Sequence, residues 1–190
     1  MFLRNILVAA AAACCVMSSA VRADDTAARQ VIQTYANIAQ AAYADSLTTA
    51  KTLQTTIAVL IAEPTAANLA KARQAWIAAR VPYQQTEVYR FGNKIVDDWE
   101  GKVNAWPLDE GLIDYVKGAY GTESDVHKLY VANVIANNTL KIGGRTVDTS
   151  KITSALLSDK LHEADGVEAN VATGYHAIEF LLWGQDLNGT

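Results

Sequence analysis

The chain contains very little cysteine. Of its 190 residues only Cys14 and Cys15 are cysteines, and both lie in an N-terminal leader. The segment that follows Ala23 therefore has no thiol, which excludes disulfide bonds and a cysteine nucleophile from the mature protein. Its stability has to come from the packing of its core.

The leader itself has the pattern of a secretory signal peptide. Arg4 supplies a positive charge, residues 6–17 form an alanine-rich apolar run, and Val21-Arg22-Ala23 resembles a leader-peptidase site. We predict a signal peptide over residues 1–23, which is too short to be a membrane span. A lipoprotein acylated at Cys14 or Cys15 is the alternative, but the preceding alanines lack the usual leucine. The leader predicts export into an oxidising compartment.

The mature chain also lacks a surplus of positive charge. Removal of Arg4 and Arg22 leaves 14 of the 16 basic residues against 20 acidic ones. A net negative charge argues against nucleic acid or an anionic membrane surface as a partner. It mildly favours cations, without specifying which.

Alternating strand patterns are absent, and helical spacing prevails instead. Apolar residues recur every three or four positions from Val31 to Leu60, which predicts an amphipathic helix ending near Ala62. Pro64 stops it, and Thr65 caps a second helix that runs to about Phe91 with a kink or break at Pro82.

The rest of the chain is assigned in the same way. Gly118 and Gly121 mark a turn, as do Gly143 and Gly144. We predict a long ordered loop over 92–107, and helices over 108–116, 123–137, 149–161 and 165–183. The sequence therefore predicts an all-α antiparallel helical bundle, with residues 24–190 forming one domain.

The most informative pair lies near the end of the chain. His176 and Glu179 are three residues apart, about one helical turn, inside an apolar stretch that continues through Trp183. We expect Glu179 to be buried there, and a buried carboxylate needs compensation. A divalent metal ion would supply it, since both side chains are good ligands for iron, zinc and manganese. The alternative is a buried histidine that is hydrogen-bonded to an acid.

A second polar pattern runs along the second helix. Trp76, Arg80, Tyr83 and Glu87 follow one another at intervals of four, three and four, so they share a face. This indicates a polar, partly buried seam, although a solvated face with intrahelical ion pairs is an equal alternative. A metal site needs three or four ligands, and Glu87 is the best candidate for the third. Two weaker candidates follow Trp106-Pro107: Asp109 and Glu110.

Hydrolase signatures are missing. His162-Glu163 lacks the second histidine of His-Glu-x-x-His, because Gly166 stands at that position. The inverted motif at His176 fails because Phe180 follows Glu179. No Gly-x-Ser-x-Gly segment is present either. Glu179 acting as a general base on a metal-bound water is therefore a secondary hypothesis.

Three segments together resemble the imelysin family. They are Trp76-x-x-x-Arg80-x-Pro82-Tyr83-x-x-x-Glu87, then Val103-Asn104-Ala105-Trp106-Pro107-Leu108, and finally Gly174-x-His176-x-x-Glu179. The resemblance implies a secreted bacterial protein with two bundle-like halves and a site near their junction. It makes His176 and Glu179 the proposed metal ligands and Arg80 and Glu87 their neighbours.

The resemblance also implies a role in iron. Some family members are iron-regulated, and a relative serves periplasmic ferrous-iron uptake, so other iron-uptake components are expected partners. The first member was described as a peptidase, which keeps a metallopeptidase as an alternative. Members are roughly twice as long as this chain, so we expect a chain truncated at its C-terminus that holds the first half. A haem or small-ligand binder is a third hypothesis.

Overall fold

A computed structural model of the chain describes residues 25–117 and 128–185. Three of the predictions lie wholly or partly outside these ranges. They are the signal peptide over residues 1–23, the turn at Gly118 and Gly121, and residues 123–127 of the predicted fourth helix.

The described residues are organised into six α-helices and one β-hairpin, which confirms the all-α class. Their bounds are α1 Asp25–Ala62, α2 Ala66–Gln85, α3 Lys94–Asn104, α4 Glu110–Ile113, β1 Thr139–Ile142, β2 Arg145–Asp148, α5 Ser154–Leu156 and α6 Gly174–Trp183. Three short turns of helix complete the list: 3₁₀ turns at Glu87–Tyr89 and Ala164–Gly166 and a π-helical turn at Leu157–Leu161.

The chain divides into two units, residues 1–41 and residues 42–190. The described part of the first unit is the N-terminal half of α1. Its apolar stripe is helical, as predicted, but Val31, Tyr35 and Ile38 are each more than half exposed. In the second unit, Leu53 and the partly buried Ile57 belong to a core cluster. The same helix thus has an exposed half and a packed half.

Helix α2 begins as predicted and ends earlier than predicted. The hydroxyl of Thr65 accepts a hydrogen bond from the amide of Asn68, and the helix continues through Pro82 without interruption. It ends at Gln85 rather than at Phe91. Thr86 turns the chain there, because its hydroxyl donates to the carbonyl of Tyr83 (2.6 Å) and competes with the next helical hydrogen bond.

The predicted loop over 92–107 is wrong, because most of it forms α3. Asn93 precedes the helix, and Lys94 and Asp98 form an i,i+4 ion pair (2.6 Å) on its exposed side. Asp97 lies in the first turn and Lys102 in the last, which suits the helix dipole. Gly92 and Gly101 obscured this pattern in the sequence.

The predicted helix over 123–137 is not found in its described part, residues 128–137. Asn133 has a left-handed backbone (φ 45), and the amides of residues 133–135 donate to the carbonyls of Gly111, Leu112 and Ile113. Tertiary pairing with α4 has replaced intrahelical hydrogen bonds. Leu129 and Val134 are still buried, as their apolar character predicts.

The β-hairpin was not predicted, although the turn at Gly143-Gly144 was. Strands β1 and β2 pair antiparallel, with Leu140 opposite Val147. Four residues per strand are too few to show clear alternation. The predicted helix over 149–161 shortens to α5 and the π turn, because Thr153 rather than Thr149 or Ser150 caps it.

The last helix begins nine residues later than predicted. Asp165 was expected to cap it, but Asp165 has a left-handed backbone (φ 58) and its carboxylate accepts a hydrogen bond from the amide of Gly143 (2.9 Å). Residues 167–173 are therefore not helical. Helix α6 starts at Gly174 and ends, as predicted, at Trp183.

Candidate metal centre

The start of α6 is locked onto the end of α3. The hydroxyl of Thr173 donates to the carbonyl of Lys102 (2.9 Å), and Gly174 has φ +89. A Cβ at Gly174 would lie only 2.5 Å from the carbonyl oxygen of Val103. The close approach of the α3 backbone therefore explains why a glycine stands at this position. It sets where the next residues of α6 project.

His176 and Glu179 lie together one turn into this helix. The Nδ1 atom of His176 is 3.0 Å from Oε2 of Glu179, and the imidazole packs on the ring of Trp106 with centroids 4.8 Å apart. The expectation of a buried carboxylate is wrong: 41% of the Glu179 side chain is exposed, against 18% for His176. The buried residues of α6 are Tyr175, Ala177, Phe180 and Leu182, and Glu179 is not among them.

The predicted seam of α2 is present and is centred on Arg80. Its guanidinium carbon lies 5.7, 5.3 and 5.2 Å from the ring centroids of Trp76, Tyr83 and Tyr175. One of its N–H groups donates to the side-chain oxygen of Asn104. The Trp76 indole donates to the carbonyl of Tyr175 (2.9 Å), which joins α2 to α6.

Sequence reasoning missed the acid of this seam, Glu100. Its Oε1 atom accepts from Asn104 Nδ2 (3.1 Å) and Tyr83 OH (3.5 Å), and lies 3.1 Å from Arg90 Nη1. Only 12% of the Glu100 side chain is exposed. Glu100 and Asn104 are four residues apart, a helical spacing that would have revealed them had 92–107 not been taken for a loop.

The hydroxyls of two seam tyrosines are held in their neutral form. Burial raises the pKa of Tyr83, Glu100 and Glu87 raise it further, and Arg80 and Arg90 lower it only in part. Burial also raises the pKa of Tyr175, against smaller lowering effects of Arg80 and of a hydrogen bond with Ser46. In the metal-free protein both phenols therefore keep their protons at neutral pH.

The further ligand candidates do not join the His176–Glu179 pair. Glu87 lies in the 3₁₀ turn after α2 and is exposed, while Asp109 precedes α4 and its amide donates to the carbonyl of Ala169 (2.9 Å). Within residues 25–117 and 128–185, no three or more His, Cys, Asp or Glu residues are grouped so that they could hold a metal ion.

The pair nevertheless has the separation of two ligands on one ion. Two donors about 2.1 Å from a metal, at right angles to each other, are about 3.0 Å apart. That matches the observed Nδ1–Oε2 distance. The same distance is that of an ordinary hydrogen bond, and the described residues supply no further ligands beside His176 and Glu179.

A second histidine–glutamate pair lies in residues 157–166. His162 Nε2 is 3.9 Å from Oε1 of Glu163, and the His162 side chain is 4% exposed. Its Nδ1 atom lies 3.2 Å from the Thr173 hydroxyl. Because that hydroxyl gives its single proton to Lys102, Nδ1 must be the donor to Thr173. His162 is thus enclosed and its imidazole already oriented, whereas about half of the Glu163 side chain is exposed.

A largely apolar cavity of about 650 Å³ lies within the second unit, beside α1, α3 and α6. Tyr43, Leu53, Trp99, Tyr175 and Ile178 are among the residues that line it. No histidine belongs to the described lining, so the cavity lacks the axial ligand most often used for haem. The haem hypothesis gains no support from it.

Comparisons with known proteins place these features in a family context. The sequence profile of the imelysin family matches residues 39–190. A curated relative, "Iron-regulated protein A" of Synechococcus elongatus, is 48% identical over 50 residues, which are 26% of this chain and 14% of the relative. The aligned part of this chain thus spans about one seventh of the relative's length. In the described part of the chain, no helix is long and apolar enough to cross a membrane.

Proposed function

The chain belongs to the imelysin family, and we propose that it binds iron outside the cytoplasm, as part of iron uptake or its regulation. His176 and Glu179 are the proposed protein ligands. The periplasm or the outer-membrane surface is the proposed location, because residues 1–23 have the pattern of a signal peptide. Other components of iron uptake are the proposed partners.

The observation that carries this proposal is the 3.0 Å separation of His176 Nδ1 and Glu179 Oε2. In the metal-free protein the Nδ1–H group of His176 donates to Glu179. An iron ion bound by both side chains would displace that proton. The partial exposure of Glu179 gives the ion a route from solvent.

The similarity to "Iron-regulated protein A" supports iron rather than zinc as the bound metal. Imidazole and carboxylate suit ferrous iron and zinc equally well, so the ligand types do not decide between them. Two protein ligands also leave most coordination positions of the ion open to solvent or to other donors. This favours a protein that takes up and releases iron over one that keeps it as a permanent structural ion.

Isothermal titration calorimetry with ferrous iron under anaerobic conditions tests the proposal. We expect His176→Ala and Glu179→Gln each to weaken iron binding by at least about 10-fold, because each removes one of two ligands. Glu87→Gln is the matched control on another element and is expected to leave the affinity within about twofold. Unchanged iron affinity in the His176→Ala, Glu179→Gln double variant contradicts this site.

The same preparations test the peptidase alternative. Incubation with an unstructured peptide, with and without a chelator, is expected to show no cleavage that depends on Glu179. Chelator-sensitive cleavage that is lost in Glu179→Gln would replace iron binding with hydrolysis as the function of the pair.

A further inference from the structure

Arg80 is a partly buried cation without an anionic partner in the described chain. Its only hydrogen bond goes to the neutral amide of Asn104, and no described carboxylate forms an ion pair with it. A guanidinium has five N–H groups, so most of its donors remain available. A charge taken partly out of water without a counterion is costly unless a ligand supplies one.

Two other arginines of the same region show what a structural role looks like. Arg73 donates from Nε to the carbonyl of Leu182 (2.8 Å) and so stabilises the end of α6. Arg90 pairs with both Asp97 and Glu100. Arg80, like Arg73, donates to a neutral oxygen, but that oxygen belongs to the Asn104 side chain rather than to a backbone carbonyl. Asn104 in turn donates to Glu100, so it lies between Arg80 and that carboxylate.

The aromatic rings around Arg80 fix the position of its guanidinium group before any ligand binds. Trp76, Tyr83 and Tyr175 lie 5.2–5.7 Å from its guanidinium carbon, which compensates part of its charge through cation–π contact. The rings also restrict the rotamers of a long side chain. The side chain is therefore already ordered before an anion binds, which reduces the entropy cost of binding.

Arg80 contacts α6 at Tyr175, the residue that precedes His176. Tyr175, Glu179 and Trp183 follow at intervals of four and project from one face of that helix. Trp76 contacts the first and the last of them, with ring centroids 6.4 and 5.4 Å away. Arg80 contacts Trp76 and Tyr175. Arg80 and Trp76 therefore contact α6 on both sides of Glu179 in the chain, at Tyr175 and at Trp183.

We infer that Arg80 binds a carboxylate group of a small chelator that carries the iron. This inference rests on the proposed function of His176 and Glu179 and names the form of its substrate. A hydroxycarboxylate such as citrate coordinates iron through some oxygens and leaves a free carboxylate for a guanidinium fork. Its donors fill the positions that the described residues leave open. The substrate is then an iron–carboxylate complex rather than a bare ion.

Equilibrium dialysis with ferric citrate, with citrate alone and with zinc alone tests the inference. We expect Arg80→Gln to bind ferric citrate about 10- to 100-fold more weakly than the native chain, the usual range for a charge-assisted contact. Arg80→Gln should bind citrate alone more weakly than the native chain by a similar factor. Zinc alone should bind both proteins equally, because it uses only His176 and Glu179.

Two variants keep the result interpretable. Arg73→Gln also removes an arginine of α2, and it should bind ferric citrate within about twofold of the native chain because its guanidinium serves Leu182. Arg80→Lys keeps the charge among the rings and loses the planar fork, so it should fall between the native chain and Arg80→Gln. A thermal melt of each variant establishes that it is folded.

The outcomes separate the two proposals. Equal ferric-citrate affinity in native and Arg80→Gln proteins overturns the inference, whatever zinc does. Zinc affinity that survives loss of both His176 and Glu179 overturns the proposed function, whatever citrate does. Binding of citrate that depends equally on Arg73 and Arg80 also overturns the inference, since it shows attraction by net charge.

Discussion

Two histidine–glutamate pairs in this molecule are made of the same side chains and differ in almost every physical respect. In the first, His176 and Glu179 share one face of α6 and are 3.0 Å apart, with 18% and 41% of their side chains exposed. In the second, His162 and Glu163 are sequence neighbours at the end of a π turn and are 3.9 Å apart. There the histidine is enclosed and the glutamate is half exposed.

The difference lies in what the backbone and the neighbours do. Three residues of regular helix point two side chains the same way, whereas Glu163 has a left-handed backbone (φ 52) that turns it away from His162. Thr173 engages His162 and so ties its imidazole to the end of α3. His176 contacts the Glu179 carboxylate and the ring of Trp106. The proposed binding role therefore falls to the first pair, and the contacts of His162 fit a structural role for the second.

The largest expected effect comes from displacing the first pair. Gly174→Ala places a Cβ 2.5 Å from a backbone oxygen that cannot rotate away, at φ +89. We expect a loss of about 3–4 kcal/mol in the free energy of unfolding, measured by urea denaturation. Iron affinity should fall with it, because α6 has to shift.

Gly92→Ala is the control for backbone strain alone. Gly92 also has a positive φ (+68), but no atom lies within 4 Å of an added Cβ. We expect a cost of about 1 kcal/mol and unchanged iron affinity. Equal costs for the two substitutions would mean that contact with Val103 does not position the pair.

Replacing the histidine of each pair by alanine tests whether the two pairs have different roles. His162→Ala removes an enclosed imidazole and leaves the Thr173 hydroxyl without its donor, so we expect a loss of about 1–3 kcal/mol in stability with iron affinity unchanged. His176→Ala should cost less than about 1 kcal/mol and should lose iron. Chemical denaturation and calorimetry on both variants measure the two effects. Weakened iron binding in His162→Ala would contradict the comparison, because it would make His162 rather than His176 the ligand.

The last prediction concerns the stability of the seam at alkaline pH. Because burial raises the pKa of Tyr83 above its ordinary value of 10.0, the folded state retains a proton that the unfolded state releases. This stabilisation is complete below pH 10 and is lost as pH rises. The free energy of unfolding should fall by up to about 1.4 kcal/mol per pH unit for this group.

Tyr83→Phe should make that decline shallower, and absorbance at alkaline pH should show fewer protected phenols. Tyr115 is largely exposed and lies outside the seam, so Tyr115→Phe should leave the slope unchanged. An identical slope in the native chain and in Tyr83→Phe would mean that this hydroxyl is not enclosed as described.

Much of the candidate site was predictable because it depends on local periodicity. The common face of Trp76, Arg80 and Tyr83 and the His176–Glu179 pair both follow from 3.6 residues per turn. Glu100 was hidden because two glycines masked α3. The burial of Glu179 was predicted wrongly, because apolar sequence neighbours do not say which face of a helix meets the core.

The amino-acid sequence alone determined the all-α class, the extent of α1, the start of α2, the end of α6 and the pairing of His176 with Glu179, since each depends on contacts within a few residues. Only the tertiary structure decided where α6 begins, which carboxylate joins the seam and which arginine three aromatic rings surround. Those outcomes depend on backbones and charges that are distant in the chain, such as Val103 against Gly174 and Asn104 against Arg80. Local propensity contains no information about them.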